Sequence, residues 1–104
     1  MDLLNLENAK LRNLTIVATK DQMSSDLSGE AVILNLKTGM YHGLDTVGTR
    51  IWNLLQESKT VKDILDTLIL EYEVELERCE RELLALLQKL ADEGLIEVKN
   101  EAAA

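Results

Sequence analysis

Residues 29–52, GEAVILNLKTGMYHGLDTVGTRIW, leave this chain few ways to fold. Over residues 30–36, Val32, Leu34 and Leu36 alternate with Ala31, Ile33 and Asn35, the period-two pattern of a strand. Both sets are mostly apolar, so burial on much of both faces is expected. Lys37, Thr38 and Gly39 supply turn chemistry, with Gly39 free to take a positive φ and close a short hairpin onto a second strand at residues 40–44. Asp45 or Thr46 then offers an oxygen to cap a helix in which Val47, Ile51, Trp52, Leu54 and Leu55 recur at helical spacing.

Two further helices follow. Thr60 with Asp63 resembles a capping box. Val61, Ile64, Leu65, Leu68, Ile69 and Tyr72 then keep one helical face apolar. The apolar phase changes at residues 73–75, which places a tight turn around Val74. The next helix runs over residues 76–93 and stops at Gly94, a natural C-terminal cap. Upstream, residues 14–19, with Thr15, Ile16, Val17 and Thr19 β-branched, read as a first strand, and the polar residues 20–28 read as the connection that brings it beside residues 30–36. The expected fold class is therefore α+β, a three-stranded antiparallel meander followed by three helices in the style of a winged helix-turn-helix. Residues 1–13 form an unassigned arm, 14–98 the domain, and 99–104 a frayed tail that starts after a short strand or packed tail at 95–98.

Composition narrows the function classes. Eleven Lys and Arg face 19 Asp and Glu, and residues 73–104 alone hold nine acids against four bases. Such a surface repels phosphate backbones and disfavours nucleic acid, while a winged-helix DNA-binding regulator remains the runner-up that the fold allows. One cysteine, no apolar run of membrane-spanning length and no signal-like apolar core over residues 1–12 point to a cytoplasmic setting.

No constellation for catalysis is evident. His42 is the single histidine, and Cys79 falls on the apolar arc of the last helix among Glu75, Glu77, Glu80 and Glu82, where a buried structural thiol is expected. No set of residues has zinc-ligand spacing, and Gly39, Gly43 and Gly48 do not form a phosphate loop. No enzyme activity and no cofactor are expected, and the acid pairs of the last helix read as a solvated face. The apolar arc of that helix, from Leu84 round to Leu86, spans about 160°. Two readings of that width compete. Either the helix is central, touching sheet and helices at once, or one margin stays open as the wall of an apolar groove. Beside an edge strand at residues 40–44, such a groove suits an extended peptide.

The residues that join these features also carry a family likeness. VATKDQMSSDLSGEAVILNLKTGMYHGLDTVGTRIWNLL at 17–55, EYEVE at 71–75 and LLALLQKLADEGLIEV at 83–98 resemble the PqqD family, also called RiPP recognition elements. Within it, SSDLSGEAVILNLKTGMYHGLDTVG is similar to the stand-alone members that serve lasso peptide biosynthesis. The resemblance implies a leader-peptide-binding adaptor. It captures the precursor of a ribosomally made, modified peptide as an added strand and presents it to a separate leader peptidase or other maturation enzyme. Carried over by position, the strand side of the site is Met40, Tyr41, His42, Gly43 and Leu44, with His42 standing where similar sequences often have an aromatic. The helix wall is Arg78, Cys79, Glu82, Leu83, Leu86 and Leu87. Val47, Gly48, Arg50, Ile51 and Trp52 look like core and helix packing. A monomer is expected, with a dimer through the edge strand as the other possibility.

Overall fold

A computed structural model describes residues 8–99. Along the chain it contains α1 (Asn8–Arg12), β1 (Thr15–Ala18), β2 (Gln22–Leu27), β3 (Glu30–Asn35) and β4 (Tyr41–Gly43), then α2 (Thr46–Leu54), β5 (Lys59–Thr60), α3 (Val61–Tyr72), α4 (Leu76–Asp92) and β6 (Ile96–Lys99). The class is α+β, as expected, but the strands form two three-stranded antiparallel sheets, ordered β2-β3-β4 and β5-β1-β6. The meander exists with a different first member. Residues 14–19 do form a strand, yet it pairs Thr15 with both Thr60 and Lys99 in the second sheet. Its expected place beside β3 is taken by β2, which runs from Gln22 opposite Asn35 to Leu27 opposite Glu30. The segment read as a connection is polar because it is an outer strand with every residue after Gln22 exposed.

β3 is buried on one face only. Ala31, Ile33 and Asn35 point into the core, Val32 and Leu34 are half-buried on the outer face, and Leu36 is exposed. Inward burial centres on Trp52, 1% exposed, together with Ile33, Leu55, Leu65, Leu83, Leu87 and Leu90. The Trp52 indole N–H is not left bare, since it donates to Ser24 Oγ at 3.3 Å.

The helix starts obey the capping chemistry. Asp45 Oδ1 accepts from Gly48 N–H at 2.7 Å, and Thr60 Oγ1 accepts from Asp63 N–H at 3.1 Å. At the far end, Gly94 takes φ +72°, and the N–H groups of Gly94 and Leu95 reach back to Ala91 and Leu90 carbonyls, closing α4 before β6 begins. Thr49, buried in α2, links helix to hairpin: its Oγ1 accepts from Ala31 N–H at 2.7 Å and lies 3.5 Å from Leu44 C=O. That hydroxyl stands where the β3–β4 ladder would otherwise continue.

Two side-chain pairs extend beyond the sequence expectation. Glu80 is not on a solvated face: it is 8% exposed and accepts from Arg12 Nε at 2.8 Å. This pairing and the burial of Leu11 fasten α1, so part of the unassigned arm belongs to the fold; residues 1–7 and 100–104, including most of the frayed tail, lie outside the described residues. Arg50 on α2 meets Glu71 at the end of α3 through three contacts of 2.7–3.1 Å. Hydrogen bonding to Arg50 holds the Glu71 carboxyl below its usual range, and the guanidinium is held above its own. The pair therefore contributes above the ordinary carboxylate range and is lost as pH falls through the lowered one.

Asn35 anchors the hairpin at its inner end. Its Oδ1 accepts from the N–H groups of Lys37 and Thr38 at 2.9 and 3.2 Å, and its Nδ2 donates to Glu93 C=O at 2.8 Å. Replacing it, Asn35→Ala, removes all three bonds from a side chain at the core edge. Urea unfolding of that variant is expected to show a loss of about 1–3 kcal/mol, and a loss within error of zero would show that the turn holds without it.

Candidate peptide-binding cleft

β4 is an edge of its sheet. Leu44 N–H donates to Ala31 C=O and Asn35 N–H donates to Met40 C=O, each at 2.9 Å, and His42 lies opposite Ile33. Hydrogen-bonded pairs alternate along an antiparallel ladder, so the main chains of Met40, His42 and Leu44 are engaged with β3. The N–H and C=O groups of Tyr41 and Gly43 face the open side, where no described residue pairs with them. Side chains alternate likewise. Tyr41 stands on the outer face opposite Leu34 and is 69% exposed, whereas His42 turns inward with Ile33 and places Nε2 3.6 Å from Glu93 Oε2.

Beside this edge a cleft of about 780 Å³ opens between the β4–α2 junction and the α3–α4 corner. Gly43, Leu44, Val47, Gly48 and Ile51 form one wall, and Cys79, Glu82, Leu83 and Leu86 the other. Leu68, Tyr72 and Val74 close its apolar end, while Asp45 and Lys89 add charge at its margins. The corner exists because Glu73 adopts φ +49°, ending α3 and turning the chain across Val74 into α4. The tight turn expected around Val74 is therefore present, and it contributes to the cleft.

Of the residues singled out from the sequence, Gly43, Leu44, Cys79, Glu82, Leu83 and Leu86 meet in this cleft. The others stand apart. Met40 and Tyr41 are exposed at the strand's outer end, and Arg78 is exposed and donates to Glu82 at 3.2 Å. Leu87 is fully buried and faces the core rather than the opening. A helical-wheel arc reports that a position is apolar; it does not report which neighbour covers it, and Leu86 and Leu87 differ in that alone. Leu83, though it lines the cleft, is 1% exposed and serves the core as well.

Further residues line the cleft that helical periodicity does not single out. Val47 shares the helical spacing of the packing residues Ile51 and Trp52, but it is 42% exposed on the cleft wall. Tyr72 and Val74 sit inside the EYEVE string, where the signal was an apolar residue at a turn, exposed in an otherwise acidic run.

Burial, and secondarily Glu82 and Glu80, push the Cys79 thiol above its ordinary range, so it is protonated at neutral pH. Among the described residues no group of three His, Cys, Asp or Glu is placed to hold a metal ion, and no helix is long and apolar enough to cross a membrane. What the arrangement offers is an open row of main-chain donors and acceptors beside apolar pockets, the elements of strand addition.

The fold and this cleft define a small α+β domain built around a free strand edge. The chain belongs to the PqqD family: the family described as Coenzyme PQQ synthesis protein D matches residues 30–96. Among solved structures, it is similar to TbiB1 in complex with the TbiA(beta) leader peptide, at 41% identity over 78% of this chain and 94% of that one, with a TM-score of 0.74. A lasso peptide synthetase B1 complexed with the leader peptide shares the fold, with a TM-score of 0.70 and 24% identity over 79% of this chain and 96% of that one. No curated protein matches the sequence.

Two substitutions separate core from cleft. Leu87→Ala is expected to cost about 2–5 kcal/mol in urea unfolding, whereas Leu86→Ala, at a half-buried cleft position, is expected to cost about 1 kcal/mol or less. Ellman's reagent is expected to react with Cys79 far more slowly than with a free thiol at pH 7.5, and faster as pH rises past the ordinary thiol range. Prompt reaction at pH 7.5 would show the thiol to be open and ionised.

Proposed function

We propose that this protein is a leader-peptide-binding adaptor of lasso peptide biosynthesis, acting by capture and presentation without catalysis of its own. The observation that carries the reading is the juxtaposition of the unpaired main chain of Tyr41 and Gly43 with the apolar cleft under α4. The likeness to TbiB1, whose structure holds a leader peptide, supports it. An unstructured leader adds as a fourth strand beside β4. Its inward side chains enter the cleft against Val47, Leu83 and Leu86, and its remaining length reaches a separate leader peptidase or other maturation enzyme. Ordering such a segment costs conformational entropy, so a few buried anchors carry the affinity.

The test is a two-dimensional NMR titration of the labelled protein with the synthetic leader of the precursor encoded beside it. Shifts are expected to gather on Tyr41, Gly43, Val47 and Leu86 and to spare β6. Leu86→Asp is expected to keep the fold and weaken binding about tenfold or more, since it puts a charge into an apolar pocket. Leu86 is the informative position because charging the buried Leu83 would unfold the protein. Unchanged spectra together with a stable dimer in light scattering would assign the free edge to self-pairing instead, and a salt-dependent shift of duplex DNA would assign the protein to regulation.

A further inference from the structure

The chain has five glycines, and for four of them the fold itself supplies a reason. Gly29, Gly39 and Gly94 hold positive φ values of 72–86°, and a Cβ on Gly48 would meet the capping Asp45 carboxylate at 3.1 Å and Leu44 at 3.4 Å. Gly43 has neither reason. Its φ is ordinary for any residue, and a Cβ placed there would meet nothing within 4 Å. Glycine inside a strand weakens it and otherwise marks a close approach by something else. Here that something lies outside the chain, because Gly43 is on the open edge and lines the cleft.

Pleat geometry fixes what the missing side chain leaves open. Position 43 is on the outer face opposite Val32, one pair along from Leu34 and Tyr41, and Leu34 is in turn opposite Met23. The outer face is apolar on one side of a gap, where Val32 and Leu34 are half-buried and Tyr41 and Met23 stand exposed, while Ser25 beyond Val32 and Glu30 next along β3 bound it with polar groups. A strand added beside β4, in either direction, places the side chain of its residue beside Gly43 on that same face, while the residues before and after it point inward to the cleft.

We infer that Gly43 is a specificity-determining notch: it admits one large apolar or aromatic side chain of the bound segment, which lies across the bare strand onto Val32 and alongside Tyr41. The inference rests on the proposed strand addition and adds to it a ligand pattern of inward apolar, outward large, inward apolar. Three consecutive residues of the leader are then read from two faces of the sheet, and a side chain at position 43 closes the outer one.

The experiment compares the parent with Gly43→Ala and Gly43→Val for thermal stability and for fluorescence-polarisation binding of the synthetic leader of the neighbouring precursor and its alanine-scan variants. Both substitutions are expected to leave the melting temperature unchanged or raised, as fits a strand that needs no glycine. Affinity is expected to fall modestly for alanine and about tenfold or more for valine. One alanine-scan leader should bind the parent more weakly yet lose nothing further with Gly43→Val. A folded Gly43→Val variant that binds like the parent, or leader and protein substitutions that simply add, overturns the notch while leaving strand addition in place. Unfolding of Gly43→Ala overturns the premise that the fold is indifferent to this glycine. A parent that binds no leader removes the proposed function, and the notch with it.

Discussion

The geometry of this protein depends on one buried amide. Asn35 closes β3, organises the turn that follows through two backbone N–H groups, and donates to the Glu93 carbonyl at the end of α4. A hairpin on its own is marginal in water and free to swing on its base. Here one side chain bonds both the hairpin's turn and the last turn of the longest helix, so the β4 edge is held at a set distance from the wall it faces. At the other end of the strand, Thr49 performs the matching task from α2. Between these two polar fastenings the main chain of Tyr41 and Gly43 faces the open side, because the ladder alternates and turns the main chains of Met40, His42 and Leu44 toward β3.

The cleft is correspondingly a product of helix ends as much as of helix faces. α2 begins at its rim, α3 terminates at its floor, and the turn through Val74 forms its closed end. Its charged margins are already occupied in part: Asp45 caps a helix and Glu82 pairs with Arg78. Apolar contact and main-chain pairing are therefore what the site has to offer, which fits recognition of an extended segment better than recognition of a compact charged ligand. The acidity of residues 73–104 adds a long-range preference against phosphate-rich partners without touching this local chemistry.

Local chemistry made much of this readable in advance. The hairpin turn at Gly39, the caps at Asp45 and Thr60 and the stop at Gly94 each follow from what one or two side chains can do, and each is where the sequence puts it. Features that depend on distant residues were less accessible. β2 has no apolar alternation of its own, since its pairing comes from β3 and its outer residues meet solvent. For the same reason β1 was set beside the wrong neighbour: a β-branched run declares a strand, and its partners at Thr60 and Lys99 lie 45 and 84 residues away. Glu80 looked solvated because Arg12, 68 residues earlier, is the partner that makes its burial tolerable. At the cleft, the strand edge and the Cys79, Leu83 and Leu86 wall were legible from pattern and family likeness. Val47, Tyr72 and Val74 were not, because a residue lining an opening and one lining a core obey the same periodicity.

The second sheet has a consequence for how such a domain can be joined to others. Thr15 opposite Lys99 brings the start of β1 alongside the end of β6, and no residue of β1, β5 or β6 lines the cleft. A polypeptide attached after Lys99 sets out from a surface that takes no part in the opening. The fold is thereby modular in a geometric sense: a catalytic partner tethered there by a linker gains a high effective concentration near a bound segment without the tether crossing the place where that segment lies.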